Sequence, residues 1–392
     1  MTTYNFDKVI DRRKSDSIKW ATGLVFGSEE AIPLWVADMD FRAPQPVIDA
    51  IVRRAKQGIF GYALRSGSFQ QSIIDWWSRR HGWAIDRSWV VSNNGVVPAL
   101  GLAVLAFTNP GDRVIIQPPV YPPFFGIVKE NGRQLLENPL KIENGRFVMD
   151  FEDLERKAQD QRARLLILCS PHNPVGRVWQ EDELRRLGQI CLNHNIIIAS
   201  DEIHCDLVFA DNRHLPVASL SPELAKITVT LSAPTKTFNI AGLVASYAII
   251  PDQNLRDRFC AQVESLHLSS SNIFGALGLE TAYACGEEWL DQLLVYLKGN
   301  LDLVESFFKE RIPRIKVYRP EGTYLVWLDF TGLELSPAEL KKFLVKNAGL
   351  GLNDGIPFGS SGEGFQRLNV ACPRSILQQA LEQLEKAVKS TF

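Results

Sequence analysis

Polar side chains that could do chemistry follow directly after short apolar runs in this sequence. Ser170-Pro-His-Asn-Pro-Val-Gly176 follows the run Leu165–Cys169, and Ser200-Asp-Glu-Ile-His204 follows the run Ile196–Ala199. A third cluster, Ser232-Ala-Pro-Thr-Lys-Thr237, follows another such run. Open parallel sheets bind ligands at the carboxyl ends of their strands. The three clusters therefore predict one extended site.

Lys236 is the residue with the most specific chemistry in these clusters. It is flanked by the hydroxyls of Ser232, Thr235 and Thr237, which is unusual for a solvated surface lysine. A lysine whose pKa is lowered by burial or by a cationic neighbour condenses with aldehydes. Taken alone, an exposed lysine at a helix start would be the better interpretation. The residues that accompany it change that balance.

Three companions of Lys236 have a structural and a functional interpretation each. Asp201 lies near a strand end, where a buried carboxylate needs a partner such as a protonated pyridine nitrogen. The structural alternative is that Asp201 caps a helix or pairs with a cation, as an isolated Asp usually does. Asn173 stands between prolines, where Asn normally serves the turn. Gly95-Val96-Val97 offers backbone N–H groups at a helix start, which suits a phosphate, although many helices begin after Gly.

The elements that must position these residues alternate between strands and helices. Helical patterns separate the strands, most clearly over Glu181–His194, and indicate βαβ units with a mostly parallel central sheet flanked by helices. The apolar, β-branched runs are typical of strands buried on both faces. They are Arg113–Gln117, Leu165–Cys169, Ile196–Ala199, Ile227–Leu231 and Ser246–Ile250.

The two ends of the chain differ from this middle. The first 45 residues are irregular and contain Pro33 and Pro44, and the part after about Glu287 reads as a long helix, the strand-like Gly322–Asp329 and a closing helix from about Pro373. We predict a large domain over 46–286 and a smaller α+β domain formed by 1–45 and 287–392.

Composition excludes several classes of protein. The 392 residues include 43 Lys+Arg and 45 Asp+Glu, a net charge of −2 that argues against nucleic acid or an anionic membrane as the main partner. The most apolar stretch, Val96–Phe107, is shorter than the roughly 18 residues of a membrane span. Met1–Asp7 lacks a signal-peptide profile, so a cytoplasmic location is expected. Six cysteines without a CxxC pair predict buried free thiols and no metal centre.

The asparagine, aspartate and lysine clusters together resemble the pyridoxal 5′-phosphate (PLP) enzymes of the aspartate aminotransferase fold, fold type I, class I/II. The resemblance runs nearly end to end. Finer features resemble one branch, the MalY/PatB group of cystathionine β-lyases. These features are Pro33–Phe41, Gly322–Asp329, Leu352–Gly355 and Phe365–Arg374.

The resemblance implies roles for the chemical residues. Lys236 would bond the cofactor aldehyde and later move the substrate Cα proton. Asp201 would keep the pyridine nitrogen protonated, and Asn173 would donate to the phenolic oxygen of the ring. Tyr121 would stack on the ring and line the substrate site. Arg367 would pair with the substrate α-carboxylate.

The resemblance also implies how the remaining groups are bound. Backbone donors to the phosphate would come from Gly95, Val96 and Val97, with a hydroxyl of Ser232 or Thr235. Tyr62 would reach the phosphate of a neighbouring subunit, which implies a homodimer with shared sites. Ala37, in the segment Pro33–Phe41, would contribute to substrate binding.

Two departures from the broader aminotransferase pattern are typical of the lyase branch. His204 stands where a tyrosine usually makes a second contact to the ring oxygen, and Gly242–Ser246 has no arginine for the phosphate. His204 beside Cys205 could suggest a metal site, but the ligand spacing is poor, so a structural or supporting role is predicted for His172 and His204.

The activity implied is α,β-elimination of cystathionine or related cysteine thioethers to a thiol, pyruvate and ammonia. Two alternatives stay open on the sequence. One is an aminotransferase, which shares the early steps of the reaction, and the other is a regulatory binding protein with weak lyase activity.

Overall fold

A seven-stranded sheet forms the centre of the computed structural model, which describes residues 3–64, 67–209, 212–268 and 272–392. The strands are β1 (Ile32–Pro33), β2 (Val90–Asn93), β3 (Arg113–Ile116), β4 (Gln134–Glu137), β5 (Lys141–Glu143), β6 (Arg146–Val148), β7 (Ala163–Cys169), β8 (Ile197–Asp201), β9 (Thr228–Ser232), β10 (Ser246–Ile249), β11 (Lys316–Tyr318), β12 (Leu325–Asp329), β13 (Leu350–Gly351), β14 (Asn353–Asp354) and β15 (Phe365–Asn369). The helices are α1 (Thr22–Phe26), α2 (Gln45–Lys56), α3 (Gly67–His81), α4 (Val96–Phe107), α5 (Pro123–Glu130), α6 (Phe151–Ala158), α7 (Glu181–Asn193), α8 (Pro222–Ile227), α9 (Pro234–Thr237), α10 (Gln253–Ser265), α11 (Ile273–Cys285), α12 (Glu287–Arg311), α13 (Pro337–Lys342) and α14 (Arg374–Thr391).

The central sheet has the strand order β2-β10-β9-β8-β7-β3-β4. Every pair from β9 to β4 is parallel, and only β10 runs against its neighbours β2 and β9. This confirms the predicted mostly parallel α/β sheet. In register, Cys169 lies opposite Asp201, and Asp201 lies opposite Leu231. The strand ends therefore lie at one edge and place the three polar clusters side by side.

Helices cover both faces of this sheet. The apolar helix α4 packs with α10 on one face, where Leu100, Val104 and Phe259 are completely buried. Helix α7 covers the other face through Leu184 and Leu187, and burying such a side chain stabilises the fold by about 1.5–3 kcal/mol. A capping box lies at the N-terminus of α7, as expected for a helix predicted over 181–194.

A second sheet, antiparallel and four-stranded, has the order β11-β12-β15-β14. The N-terminal segment lies against this part of the chain, because Ile32 of β1 pairs with Leu350 of β13 and the Asn369 N–H donates to the Leu34 carbonyl at 2.9 Å. The pairing of Trp327 with Arg367 fixes Arg367 on a central strand of this sheet. The domain boundaries at 45 and 286 stay a prediction.

Two further expectations have mixed outcomes. Cys285 is exposed and Cys260 is half-buried, because both lie toward the outer faces of helices, so the expectation of buried thiols is wrong for them. The other four cysteines are buried: Cys169, Cys191, Cys205 and Cys372. Among the described residues, no helix is long and apolar enough to cross a membrane. The cytoplasmic location stays a prediction.

Candidate active site

A cavity of about 250 Å³ lies at the carboxyl edge of the central sheet. The ends of β7 and β8, the start of α4 and the short helix α9 form its walls. Ten of the residues predicted from the sequence line it: Ala37, Gly95, Val96, Val97, Tyr121, Asn173, Asp201, His204, Thr235 and Lys236.

Lys236 points into this cavity from α9, a four-residue helix that starts at Pro234 directly after β9. Its Nζ donates a hydrogen bond to the carbonyl of Ala37 at 2.6 Å. Burial lowers the pKa of Lys236 to about 8, and repulsion from Arg367 acts in the same direction. A substantial fraction of the amine is therefore neutral and nucleophilic near physiological pH.

Asp201 is the last residue of β8, and its carboxylate is buried. Its Oδ1 accepts a hydrogen bond from the Ile203 N–H at 3.2 Å. Burial raises the pKa of Asp201 to about 7, against the opposing effects of that bond and of Lys236. A cationic ligand group next to this carboxylate would relieve the cost of its burial.

The start of α4 provides backbone donors at another wall of the cavity. Gly95 precedes the helix with φ +109°, a value that L-residues rarely adopt, so glycine is required there. The Gly95 N–H donates to Ser246 Oγ at 2.8 Å, which differs from the expectation that it binds phosphate. Pro98 has no N–H, so Val96 and Val97 supply the N–H groups, and the described residues provide them with no hydrogen-bond partner. The helix dipole makes this position suitable for an anion.

Arg367 reaches the site through Asn173. Its Nη1 donates to Asn173 Oδ1 at 2.9 Å, and its Nη2 donates to the Trp35 carbonyl at 2.8 Å. Its Nε is buried and has no partner among the residues that the structure describes. Burial lowers the pKa of Arg367 to about 10, so the guanidinium stays charged. Arg367 thus contacts the site through the Asn173 oxygen, and that bond fixes the orientation of the Asn173 amide.

His204 and His172 are buried and neutral. Burial lowers the pKa of each imidazole to about 3. His172 Nε2 lies 3.3 Å from the Gln117 carbonyl, and His204 packs at 6.1 Å between ring centroids against Tyr324. Both arrangements agree with supporting roles.

The described residues contain one group with the composition of a metal site, His81, Cys205 and Asp206. The Asp206 carboxylate already accepts from His81 Nε2 at 2.9 Å, from Trp76 Nε1 at 3.0 Å and from Thr237 Oγ1 at 2.7 Å. The group is buried and its carboxylate is satisfied by side chains. We interpret it as structural support for α9, which holds both Thr237 and Lys236.

Three residues predicted for the site lie outside the cavity lining: Arg367, Ser232 and Tyr62. Ser232 is the last residue of β9, and its buried hydroxyl donates to the Glu202 carbonyl at 3.3 Å. Of the two hydroxyls considered for phosphate, only Thr235 lines the cavity. Tyr62 is fully exposed, in a segment without regular structure after α2.

Several lining residues were not predicted from the sequence. Cys169 and Ile203 line the cavity, and their positions at and just after strand ends could have indicated this. Val244 also lines it, in a left-handed conformation at φ 49°. Because β-branched residues disfavour that conformation, no sequence pattern predicted it. Tyr324 donates to the Ala37 carbonyl at 2.9 Å, beside the Lys236 amine.

The cavity fits the cofactor implied by the resemblance. It combines a half-buried amine at Lys236, a buried carboxylate at Asp201 that forms no ion pair with any described residue, and two backbone N–H groups at the start of α4. These groups are suited to an aldehyde, a pyridine nitrogen and a phosphate.

Comparison with known proteins gives full-length matches. The class I and II aminotransferase family profile matches residues 29–384. Cystathionine beta-lyase PatB of Bacillus subtilis is 45% identical over 385 residues, covering 98% of this chain and all of that protein. Protein MalY of Escherichia coli is 30% identical over 99% of both chains. The crystal structure of cystalysin from Treponema denticola, which contains PLP, matches with a TM-score of 0.97 and 36% identity over the whole of both chains.

Proposed function

Because the chain belongs to the class I and II aminotransferase family, in its MalY/PatB branch, we infer that it is a PLP-dependent C–S lyase of the cystathionine β-lyase type. The reaction is the α,β-elimination of cystathionine or a related cysteine thioether to a thiol, pyruvate and ammonia. The observation that supports it most strongly is one cavity containing Lys236, Asp201 and the free N–H groups of α4, in a chain 45% identical to a cystathionine beta-lyase.

PLP, when bound, supplies an aldehyde that condenses with amines and a protonated pyridine ring that withdraws electrons from the substrate Cα. Lys236 is proposed to bond this aldehyde and, once freed by the substrate, to take the Cα proton on Nζ. A base with a pKa near the working pH is the most effective proton carrier. The pKa of about 8 at Lys236 supports this role.

The remaining polar groups are proposed to hold the two ends of the cofactor. The Asp201 carboxylate would accept from the protonated pyridine nitrogen, and Asn173 would donate to the ring oxygen from the amide nitrogen that Arg367 leaves unused. Val96, Val97 and Thr235 would bind the phosphate. His204, buried and neutral, would support the ring oxygen side without adding charge.

Arg367, Tyr121 and Ala37 are proposed to hold the substrate. The Arg367 guanidinium, which its bonds to Asn173 and Trp35 already orient, would bind the α-carboxylate. Tyr121 lines the cavity wall and would cover the ring face. Binding the carboxylate near Lys236 would hold the Cα proton within reach of its amine.

We propose that the protein is a homodimer with shared sites, in which Tyr62 of each chain serves the site of the other. Four apolar or aromatic side chains, Ile59, Phe60, Tyr62 and Leu64, are exposed along one short segment. Such a concentration of exposed apolar side chains is typical of an interface. In a dimer, Tyr62 would contribute its hydroxyl to the phosphate in the partner's cavity.

The test is to give L-cystathionine to the PLP-loaded protein without any 2-oxo acid and to measure thiol, pyruvate and ammonia. We expect equal amounts of the three products, because elimination releases one of each. The matched control is Lys236→Ala, which should release none. Products that appear only after a 2-oxo acid is added would instead identify an aminotransferase.

A further inference from the structure

Two side chains donate to the same backbone carbonyl at the cavity wall. Lys236 Nζ lies 2.6 Å from the Ala37 oxygen, and the Tyr324 hydroxyl lies 2.9 Å from it. Tyr324 is fully buried and Ala37 is 9% exposed. A carbonyl oxygen has two lone pairs. Both are therefore used while the Lys236 amine is free.

The direction of this carbonyl is fixed by Asn369. The Asn369 Nδ2 donates to the carbonyls of Val36 and Asp38, each at 2.6 Å, on either side of Ala37. Its Oδ1 accepts from the Ala371 N–H at 2.7 Å, which fixes the orientation of the amide. The Ala37 oxygen cannot turn away from Lys236 without disturbing these bonds.

Hydrogen bonds of the preceding residue, Thr323, fix the backbone that leads into Tyr324. Thr323, which precedes it, is buried and has φ +72°, an unusual value for a β-branched residue. Its N–H donates to the Leu207 carbonyl at 2.6 Å, and its Oγ1 accepts from the Leu325 N–H at 3.1 Å. Strain of this kind persists where surrounding contacts enforce it, and it is concentrated at functional sites.

We propose that the Ala37 carbonyl receives the Lys236 amine whenever that amine is free, and that Tyr324 is a positioning residue that keeps the carbonyl paired when the amine leaves. The proposal rests on the proposed function, in which Lys236 must leave and return in every turnover. A buried carbonyl that loses its last donor is costly. Because the Tyr324 hydroxyl stays, the Ala37 carbonyl keeps one donor when Lys236 leaves, and the cost of an unpaired buried carbonyl does not arise.

Removing the Tyr324 hydroxyl is therefore expected to hold Lys236 on Ala37. The charged groups that act on the amine are Arg367, Asp38 and Asp201, and the change leaves all three in place. The Tyr324 hydroxyl shares the Ala37 oxygen with the amine and so weakens what that oxygen can offer to the ammonium. Without it, the carbonyl stabilises the ammonium form better, so the pKa of Lys236 rises from about 8.

The experiment measures this amine directly in the full chain freed of PLP. Brief acetylation with acetic anhydride at a series of pH values, read as the modified Lys236 peptide by mass spectrometry, gives the midpoint of its titration. For Tyr324→Phe we expect the midpoint to rise by about one pH unit, which means about tenfold lower reactivity near neutral pH. The rate at which added PLP becomes reducible by borohydride onto Lys236 should fall by about the same factor.

The matched control is Tyr318→Phe, which removes the same hydroxyl from a buried tyrosine of the neighbouring strand β11 and should leave the midpoint unchanged. Replacement of Tyr324 by 3-fluorotyrosine keeps the ring and makes the hydroxyl a stronger donor. This replacement should lower the titration midpoint of Lys236. It also tests the proposal if Tyr324→Phe does not fold.

An unchanged Lys236 midpoint in folded Tyr324→Phe, or in the 3-fluorotyrosine protein, would overturn the proposal. The proposed function can fail separately, since it depends on product release from cystathionine. A protein that shows the expected midpoint shifts but releases no thiol would keep the role of Tyr324 and lose the lyase assignment.

Discussion

Burial gives the ionisable side chains of the site their chemistry. It lowers the pKa of the Lys236 amine to about 8 and raises the pKa of the Asp201 carboxyl to about 7. The two groups carry opposite charges, yet the same physical cause moves both toward neutrality. Groups with such pKa values can gain or lose a proton near physiological pH, which is typical of catalytic side chains.

Arg367 allows a prediction about substrate binding. In Arg367→Lys, the ammonium cannot keep both the bond to Asn173 and the bond to Trp35 while also presenting the planar donors of a guanidinium to the substrate carboxylate. We expect KM for cystathionine to rise about 10- to 150-fold, from the loss of about 1.5–3 kcal/mol in a charge-assisted hydrogen bond. Steady-state kinetics at saturating PLP would measure it.

The comparison for this prediction is Arg311→Lys, in an ion pair with Glu385 at the surface, which should leave KM unchanged. If Arg367→Lys lowered kcat with KM unaltered, Arg367 would act in the transition state and would not serve mainly to bind the substrate carboxylate.

The site is assembled by short elements that start where strands of the central sheet end. Helix α4 follows β2 after two residues, and α9 follows β9 after one. These tight connections leave little freedom in where Val96, Val97 and Lys236 lie. The same connections need unusual backbone, such as the positive φ of Gly95.

Gly95, which directly precedes α4, is therefore a position that a side chain would strain. A Cβ there would lie 3.2 Å from Pro98 Cδ, at φ +109°. We expect Gly95→Ala to destabilise the fold by about 1–3 kcal/mol and to weaken PLP binding, because the N–H groups of Val96 and Val97 move with the helix start. Thermal melting and fluorescence titration with PLP would measure both effects.

Gly101→Ala, inside helix α4, is the matched control. Outside the backbone of its own helix, a Cβ at Gly101 would meet none of the described atoms within 4 Å. Alanine in a helix interior stabilises by about 0.5–1 kcal/mol relative to glycine. A Gly95→Ala protein with unchanged PLP affinity would contradict the proposed role of the α4 start.

The sequence predicts the elements of this sheet better than the contacts between them. Strands β7 and β9 agree with their predicted ranges within two residues, since runs buried on both faces are distinctive. The bond between Arg367 and Asn173 joins residues 194 apart, and the bond between Lys236 and Ala37 joins residues 199 apart. Such contacts depend on how the two sheets meet, which no local pattern encodes.

The same reason explains what the pattern at the start of α4 does and does not predict. The pattern Gly95-Val96-Val97 correctly predicts a helix start, because glycine tolerates the backbone that precedes it. It does not reveal that Ser246, on β10, takes the Gly95 N–H. The antiparallel direction of β10 brings Ser246 there.

Stability of the whole molecule should depend on pH through its buried histidines. The pKa of His172 is lowered to about 3 by burial, so the folded chain excludes a proton that the unfolded chain binds below about pH 6.5. The stabilising effect of a neutral His172 is complete above that pH and is lost as the pH falls toward 3. The expected loss from this residue is about 2 kcal/mol between pH 7.5 and pH 5.

Urea unfolding of wild type and His172→Gln at these two pH values, at equal protein and PLP concentrations, isolates this effect. The difference between the two proteins cancels the opposite pH dependence of Asp201, whose raised pKa favours the folded state as the pH falls. Equal pH dependence in both proteins would show that His172 is accessible to protons in the fold.

The proposed dimer gives a prediction that only an assembly of two chains can satisfy. If Tyr62 serves the partner's cavity, a mixed dimer of Lys236→Ala and Tyr62→Ala chains has one site with both residues intact. Subunit exchange between the two variants should then restore about a quarter of wild-type lyase activity, since about half of the dimers are mixed and each has one intact site of two.

Mixing Lys236→Ala with Asp201→Asn is the control. Both residues line the cavity of one chain, so no mixed dimer has an intact site and no activity should return. If Tyr62 served its own cavity, the first mixture would stay as inactive as the control.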